Sequence, residues 1–261
     1  MPGERTTGDP AAVARRALTL LDLTELGDHA TDDDVARLCA RAVTPHGHVA
    51  AVCVWPRHVG MAAFELMTEP IGIATVVNFP TGDETVPHVM TATADALRNG
   101  ATEIDLVLPY RALQEGVIEH VALMLSAART ATTAGRATLK VILETGELGD
   151  ATAIEAAARL AVDHGADFVK TSTGKTPVGA TLEATAAMLR VIAAAGRPVG
   201  LKVSGGVRTV ADAAAYLDQA EQVMGPSWAT PATFRFGASG LLDALLAALD
   251  GGERASVAGD Y

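Results

Sequence analysis

Glu103-Ile104-Asp105-Leu106-Val107-Leu108-Pro109 is a nearly continuous apolar run, opened by one carboxylate, broken by a second and closed by proline. A strand with one wet face alternates apolar and polar residues. A run without that alternation suits a parallel strand covered on both faces. Seven similar runs appear on either side of it: Thr19–Thr24, Val49–Trp55, Gly72–Phe79, Thr138–Glu144, Asp167–Ser172, Pro198–Ser204 and Thr233–Ala238. Their starts lie about 23 to 35 residues apart, the length of one strand plus one crossover helix.

Ala-rich helical stretches fill the intervals. Thr31-Asp32-Asp33-Asp34 reads as an N-cap with an acidic first turn. Gly100, Gly135, Gly165, Gly196, Gly225 and Gly251 each follow a helical pattern, where a left-handed residue ends a helix. Leu182, Ala186, Leu189 and Ala193 recur at helical spacing. Eight such units predict an α/β fold, a (β/α)8 TIM barrel formed as a single domain over residues 1–261, with 1–10 and 252–261 as flexible tails. A doubly wound open sheet is the alternative. It is weakened because no G-x-G-x-x-G follows the first strand.

The 261 residues are 49% hydrophobic, enough for one sizeable core. A formal net charge of -11 argues against nucleic acid or an anionic membrane as partner. It leaves room for a small phosphorylated substrate, which needs only a local site. No run of 18 apolar residues is present, and Met1 to Pro10 is polar rather than signal-like. Cys39 and Cys53 are too few for a disulfide framework, which fits a reduced, cytoplasmic protein.

Of the 20 basic residues only four are lysines: Lys140, Lys170, Lys175 and Lys202. A chain that favours arginine this strongly keeps lysine where the amine itself is needed, because lysine can lose its proton and form an imine. Chemistry in barrels sits at the C-terminal ends of the strands. There, Phe168-Val169-Lys170-Thr171-Ser172-Thr173-Gly174-Lys175 and Leu201-Lys202-Val203-Ser204-Gly205-Gly206 each put a lysine among apolar neighbours on adjacent strands. A second cation and desolvation both lower a lysine pKa, and a neutral amine attacks carbonyls. Snorkelling, or pairing with a carboxylate, is the plainer reading of either lysine alone. Asp105, mid-strand, reads as a proton relay with Lys202 or as its structural ion pair.

Gly205-Gly206 and Gly237-Ala238-Ser239-Gly240 follow the last two runs, the usual phosphate position in a barrel. Lys175 adds a charge beside them. Asp22, Thr24, Asn78 and Glu144 end other strands, where they meet substrate hydroxyls or cap loops. Cys53 reads as a small buried apolar residue of the same region. His46-Gly47-His48 reads as a surface loop rather than a metal site, and no metal-ligand set is visible.

These segments resemble the deoxyribose-phosphate aldolase family. The resemblance rests on Leu21-Asp22-Leu23-Thr24, Val52-Cys53-Val54-Trp55-Pro56-Arg57, Asn78-Phe79-Pro80, Glu103-Ile104-Asp105-Leu106-Val107 and Leu139-Lys140-Val141-Ile142-Leu143-Glu144-Thr145-Gly146. The two lysine segments and Arg235-Phe236-Gly237-Ala238-Ser239 complete it. The resemblance implies reversible cleavage of 2-deoxy-D-ribose 5-phosphate to glyceraldehyde 3-phosphate and acetaldehyde, with no cofactor beyond a lysine imine, and no metal. It implies Lys170 as the imine-forming residue and Asp105 with Lys202 as the proton donor and acceptor. Tyr261 is implied as a helper in proton transfer. Around the substrate it implies Asp22, Thr24, Cys53, Thr171, Lys175 and Val207, with a phosphate cradle at Gly205, Gly206, Gly237, Ser239 and Gly240. Gly240 stands where the family often has a second serine. A homodimer is common in that family. Three rivals stay open: a Schiff-base aldolase for another phosphosugar, a barrel isomerase needing a Glu/His pair, and a catalytically silent phosphosugar-binding barrel.

Overall fold

Each of the eight apolar runs carries one strand of a closed barrel, the first strand ending one residue past its run, in a computed structural model that describes residues 9–251. The strands are β1 (Leu21–Glu25), β2 (Ala51–Val54), β3 (Gly72–Val77), β4 (Glu103–Val107), β5 (Thr138–Ile142), β6 (Phe168–Lys170), β7 (Gly200–Ser204) and β8 (Phe234–Ala238). All neighbours are parallel, and the barrel closes where Leu21, Asp22 and Leu23 pair with Phe236, Gly237 and Ala238. The open-sheet alternative is therefore excluded. A parallel barrel needs a crossover after each strand, and helices supply it. The expected tails lie outside the described residues except for Asp9 and Pro10, which cap and open the first helix. Tyr261 lies outside them too.

Local chemistry starts the helices as expected. Thr31 caps helix Asp32–Ala42 and closes a reciprocal capping box with Asp34. Two details differ. Gly135 is right-handed, and Arg136 takes the left-handed position instead (φ 54°). A Cβ at Gly135 would lie 2.7 Å from Leu97, so close packing explains this glycine. Helix Leu182–Ala193 buries Thr185, Met188, Leu189 and Ile192, while Leu182 and Ala193 are exposed. The face is rotated from the expected one because the helix packs between its neighbours Ala151–Asp163 and Val210–Met224 as well as on the barrel. His46 lies in the Pro45–His46 turn of a short hairpin in which Val43–Thr44 pairs with Gly47–His48.

The apolar core lies between strands and helices and includes Leu18, Leu21, Leu23, Ile104, Leu106, Leu139, Val141, Leu201, Phe234 and Phe236. Alternate residues on the same strands point inward, and there the barrel is charged. Cys39 and Cys53 are both buried and free. Among the described residues no helix is long and apolar enough to cross a membrane.

Candidate active site

Strands β1, β4 and β7 are not neighbours, so their side chains meet only across the barrel interior. Asp22, Asp105 and Lys202 do meet there. Lys202 Nζ lies 2.8 Å from Asp105 Oδ2 and 2.5 Å from Asp22 Oδ2, the latter an ion contact outside hydrogen-bonding geometry. Lys170 Nζ donates to the same Asp105 oxygen at 2.9 Å. Lys140 Nζ takes the other, Oδ1, at 2.9 Å, and also pairs with Glu103. Arg235 completes the set, 2.6 Å from Asp22 and 3.0 Å from Glu103. Asp22, Asp105, Lys140 and Lys202 are wholly buried, and Lys170 is nearly so.

Burial disfavours every charge here, and the balance differs by group. Burial pushes the Asp105 carboxyl up, but Lys140, Lys170 and Lys202 outweigh it and hold it well below the usual carboxylate range. Asp22 goes the same way: Lys202, Arg235 and Lys140 overcome its burial. Burial lowers Lys202, yet Asp105 and Asp22 raise it above an ordinary lysine. Lys140 is raised likewise by Asp105 and Glu103 against its burial. Lys170 alone moves down. Burial and Lys202 lower it, and Asp105 does not restore it. Two neighbouring lysines on one carboxylate are thus driven apart, Lys202 upward and Lys170 downward.

A cavity of about 560 Å³ opens at the C-terminal ends of the strands. Lys170 faces it, whereas Lys202 and Asp105 do not line it. One wall is made by Gly205, Gly206 and Val207 after β7 and by Gly237, Ser239 and Gly240 at the end of β8. Gly205 and Gly206 are left-handed, with φ 86° and 92°. A Cβ at Gly205 would meet Ser172 Oγ at 2.6 Å and Gly179 Cα at 2.9 Å, whereas one at Gly206 would point into open space. Helix Leu241–Leu249 starts at Gly240 with no side-chain cap, which leaves its first amides free for an anion. The helix after Gly206 differs, because Thr209 and Asp212 cap it.

The chain's sequence matches the family model for DeoC/LacD family aldolases over residues 16–246. It is 50% identical, over 97% of both chains, to a deoxyribose-phosphate aldolase of Agrobacterium fabrum (strain C58). The chain belongs to the DeoC/LacD aldolase family. Solved structures agree with its fold. A Toxoplasma gondii protein assigned as a deoxyribose-phosphate aldolase superposes with TM-score 0.85 at 28% identity, covering 93% of this chain and 97% of that one. A Coccidioides immitis protein with the same assignment gives 0.79 at 32% identity, covering 89% and 85%.

The aldolase brings together most of what its sequence suggested. Lys170, Lys202 and Asp105 form one cluster, and Thr24, Lys175 and the glycine loops line one cavity. Asp22, Cys53 and Thr171 do not line it. Asp22 sits two residues below Thr24 on the same inward face and is spent on Lys202 and Arg235. Thr171 exchanges hydrogen bonds with the Ser204 backbone. Cys53 belongs to a small apolar cluster with Leu26, Ala74 and Val76. Lys175 is engaged by Asp28 at 2.7 Å and lies over the Trp55 ring. Asn78 and Glu144 hold loops: Asn78 bonds Val107 and Glu84, and Glu144 bonds the Thr173 amide and hydroxyl.

Lys140, Glu103 and Arg235 were missed as members of the site. A signal existed for Lys140, a mid-strand lysine in a lysine-poor aldolase, as it did for Asp105. Arg235, between Phe234 and Phe236, carries the same mark of a charge on an apolar strand. Among the described residues no three His, Cys, Asp or Glu side chains gather in a metal-binding arrangement.

Proposed function

We propose that this aldolase reversibly cleaves 2-deoxy-D-ribose 5-phosphate to D-glyceraldehyde 3-phosphate and acetaldehyde through an imine on Lys170. The observation that carries the reading is one oxygen, Asp105 Oδ2, shared by a cavity-facing lysine and a wholly buried one. Neutral Lys170 Nζ attacks C1 of the open-chain aldehyde. Lys202, held cationic, supplies the proton with which the carbinolamine hydroxyl leaves as water. Asp105 and a water carry protons between the two amines. The resulting iminium draws the C2–C3 electrons as the C3 hydroxyl gives up its proton, which returns through the water and Asp105 to Lys202. Glyceraldehyde 3-phosphate departs and an enamine remains. Protonation of that enamine at C2, with Tyr261 assisting, and hydrolysis release acetaldehyde and regenerate the amine.

The phosphate belongs at Gly205, Gly206 and the uncapped start of helix Leu241–Leu249, with Lys175 at the rim. Gly240 in place of a serine removes a hydroxyl and keeps the amides. The proposed reaction uses no metal and no organic cofactor. A cytoplasmic homodimer completes the proposal, with the dimer open to sedimentation velocity.

Borohydride trapping with acetaldehyde tests the core of it. An ethyl adduct is expected on Lys170 by peptide mapping and is expected to vanish in Lys170→Ala. An adduct on another lysine would end the assignment. Reduction with a ketose phosphate but not with acetaldehyde would favour an aldolase for a different donor.

A further inference from the structure

Four cations and three anions share the barrel interior: Lys140, Lys170, Lys202 and Arg235 against Asp22, Glu103 and Asp105. All seven side chains are buried. An uncompensated buried charge is costly, and a lysine relieves it by giving up its proton, which arginine does not do. The contacts decide which lysine yields. Lys202 touches two carboxylates. Lys140 touches Asp105 and Glu103 and lies 3.7 Å from Asp22. Lys170 touches one, through an oxygen it shares. Six strands supply the seven charges, β6 giving Lys170 itself. Of the other two, β2 offers only the Cys53 thiol, and β3 has no titratable side chain over Gly72–Val77. Gly72 on β3 instead makes room, since a Cβ there would lie 2.9 Å from Glu103 Oε1.

We propose that Lys140 is a positioning residue for the reaction: its charge, seated between Glu103 and Asp105, satisfies the carboxylates so that Lys170 is the amine left without a proton. Lys140 is wholly buried and does not line the cavity, so it acts through Asp105 and never on substrate. The inference rests on Lys170 being the reactive amine. The sign follows from counting charges. With Lys170 neutral the remaining three cations match three anions. Removing Lys140 leaves an excess anion, and Lys170 recovers its proton. Removing the Glu103 charge leaves an excess cation, and Lys170 holds its proton less well. Removing both restores the match.

The test is acetic anhydride labelling of Lys170 in the full-length protein across pH, read by peptide mass spectrometry, in Lys140→Met, Glu103→Gln and the double variant. Labelling follows the free base. In Lys140→Met the profile is expected to move up by at least one pH unit, an approximately tenfold slower labelling on the acid side. In Glu103→Gln it is expected to move down, and in the double variant to return to the parent's. An unmoved profile in Lys140→Met, or single variants that shift it in the same direction, would overturn the proposal. If Lys140→Met does not fold, Glu103→Gln decides: a downward shift supports the count, and no shift or an upward one refutes it. Labelling needs no aldol chemistry. A failed borohydride trap would therefore sink the reactive-lysine reading separately from the charge count.

Discussion

Asp105 is the residue on which the proposed chemistry turns, because each of its oxygens is claimed by a different lysine or pair of lysines. Oδ1 holds Lys140, and Oδ2 holds Lys170 and Lys202 together. A carboxylate so placed keeps Lys202 cationic and within reach of whatever Lys170 binds. Positioned acid–base groups typically contribute about 10²–10⁴-fold. Asp105→Leu and Lys202→Leu are therefore each expected to lower kcat by about 100-fold or more while the proteins stay folded. Steady-state kinetics on folded variants checks this, and a near-parental kcat in either would remove that residue from the mechanism. These three residues were legible in the sequence because charges on apolar strands stand out. Lys140 and Arg235 carried the same mark, but only contacts across the barrel show whom each one meets.

At the scale of elements, β8 and β7 support the site as much by what they lack as by what they present. Gly237 on β8 lies against Lys202, and an added Cβ would sit 3.0 Å from Lys202 Cε and 2.9 Å from Ser204 Cβ. Lys202 has little freedom to give way, since both Asp22 and Asp105 hold it. Gly237→Ala is thus expected to displace the ammonium and reduce kcat about tenfold, with an overpacking cost of about 1–3 kcal/mol. Kinetics paired with thermal melts reads both effects, and an unchanged kcat would show that Lys202 tolerates the shift. The sequence marks Gly237 as a phosphate-loop glycine. That it also makes room for a lysine depends on the register of β8 on β7, where Gly237 pairs with Ser204.

For the whole molecule, the charged interior ties stability to pH, and the signs differ by group. Asp22 and Asp105 are both held below the ordinary Asp value of 3.8 once their cations overcome burial. Their contribution is present above that value and is lost as pH falls through their lower folded values. Lys140 and Lys202 are raised above the ordinary 10.5, so their contribution is full below it and lost as pH climbs through the folded values. Lys170, lowered from 10.5, has the opposite sign and gains as it deprotonates. The melting temperature is expected to be level from about pH 5 to 9 and to fall at both ends. Asp22→Asn should start lower and lose less between about pH 5 and 3. An acid limb as steep as the parent's would show that Asp22 does not drive it.

Strand number, strand order along the chain and the positions of the two reactive-looking lysines were determined by sequence alone. Apolar runs without alternation have one good home, a parallel sheet covered on both faces, and eight of them with crossover-length intervals lead to closure. The tertiary structure decided what sits at which depth. Asp22 and Thr24 look alike as strand-end polar residues, yet one is sealed into the ion network and the other lines the cavity. Lys140 and Lys170 look alike as lone lysines on apolar strands, yet one is saturated by carboxylates and the other opens to the cavity. Depth in a barrel depends on stagger between strands far apart in the chain. So does the count of opposing charges around each amine, and that count selects the lysine that can shed its proton.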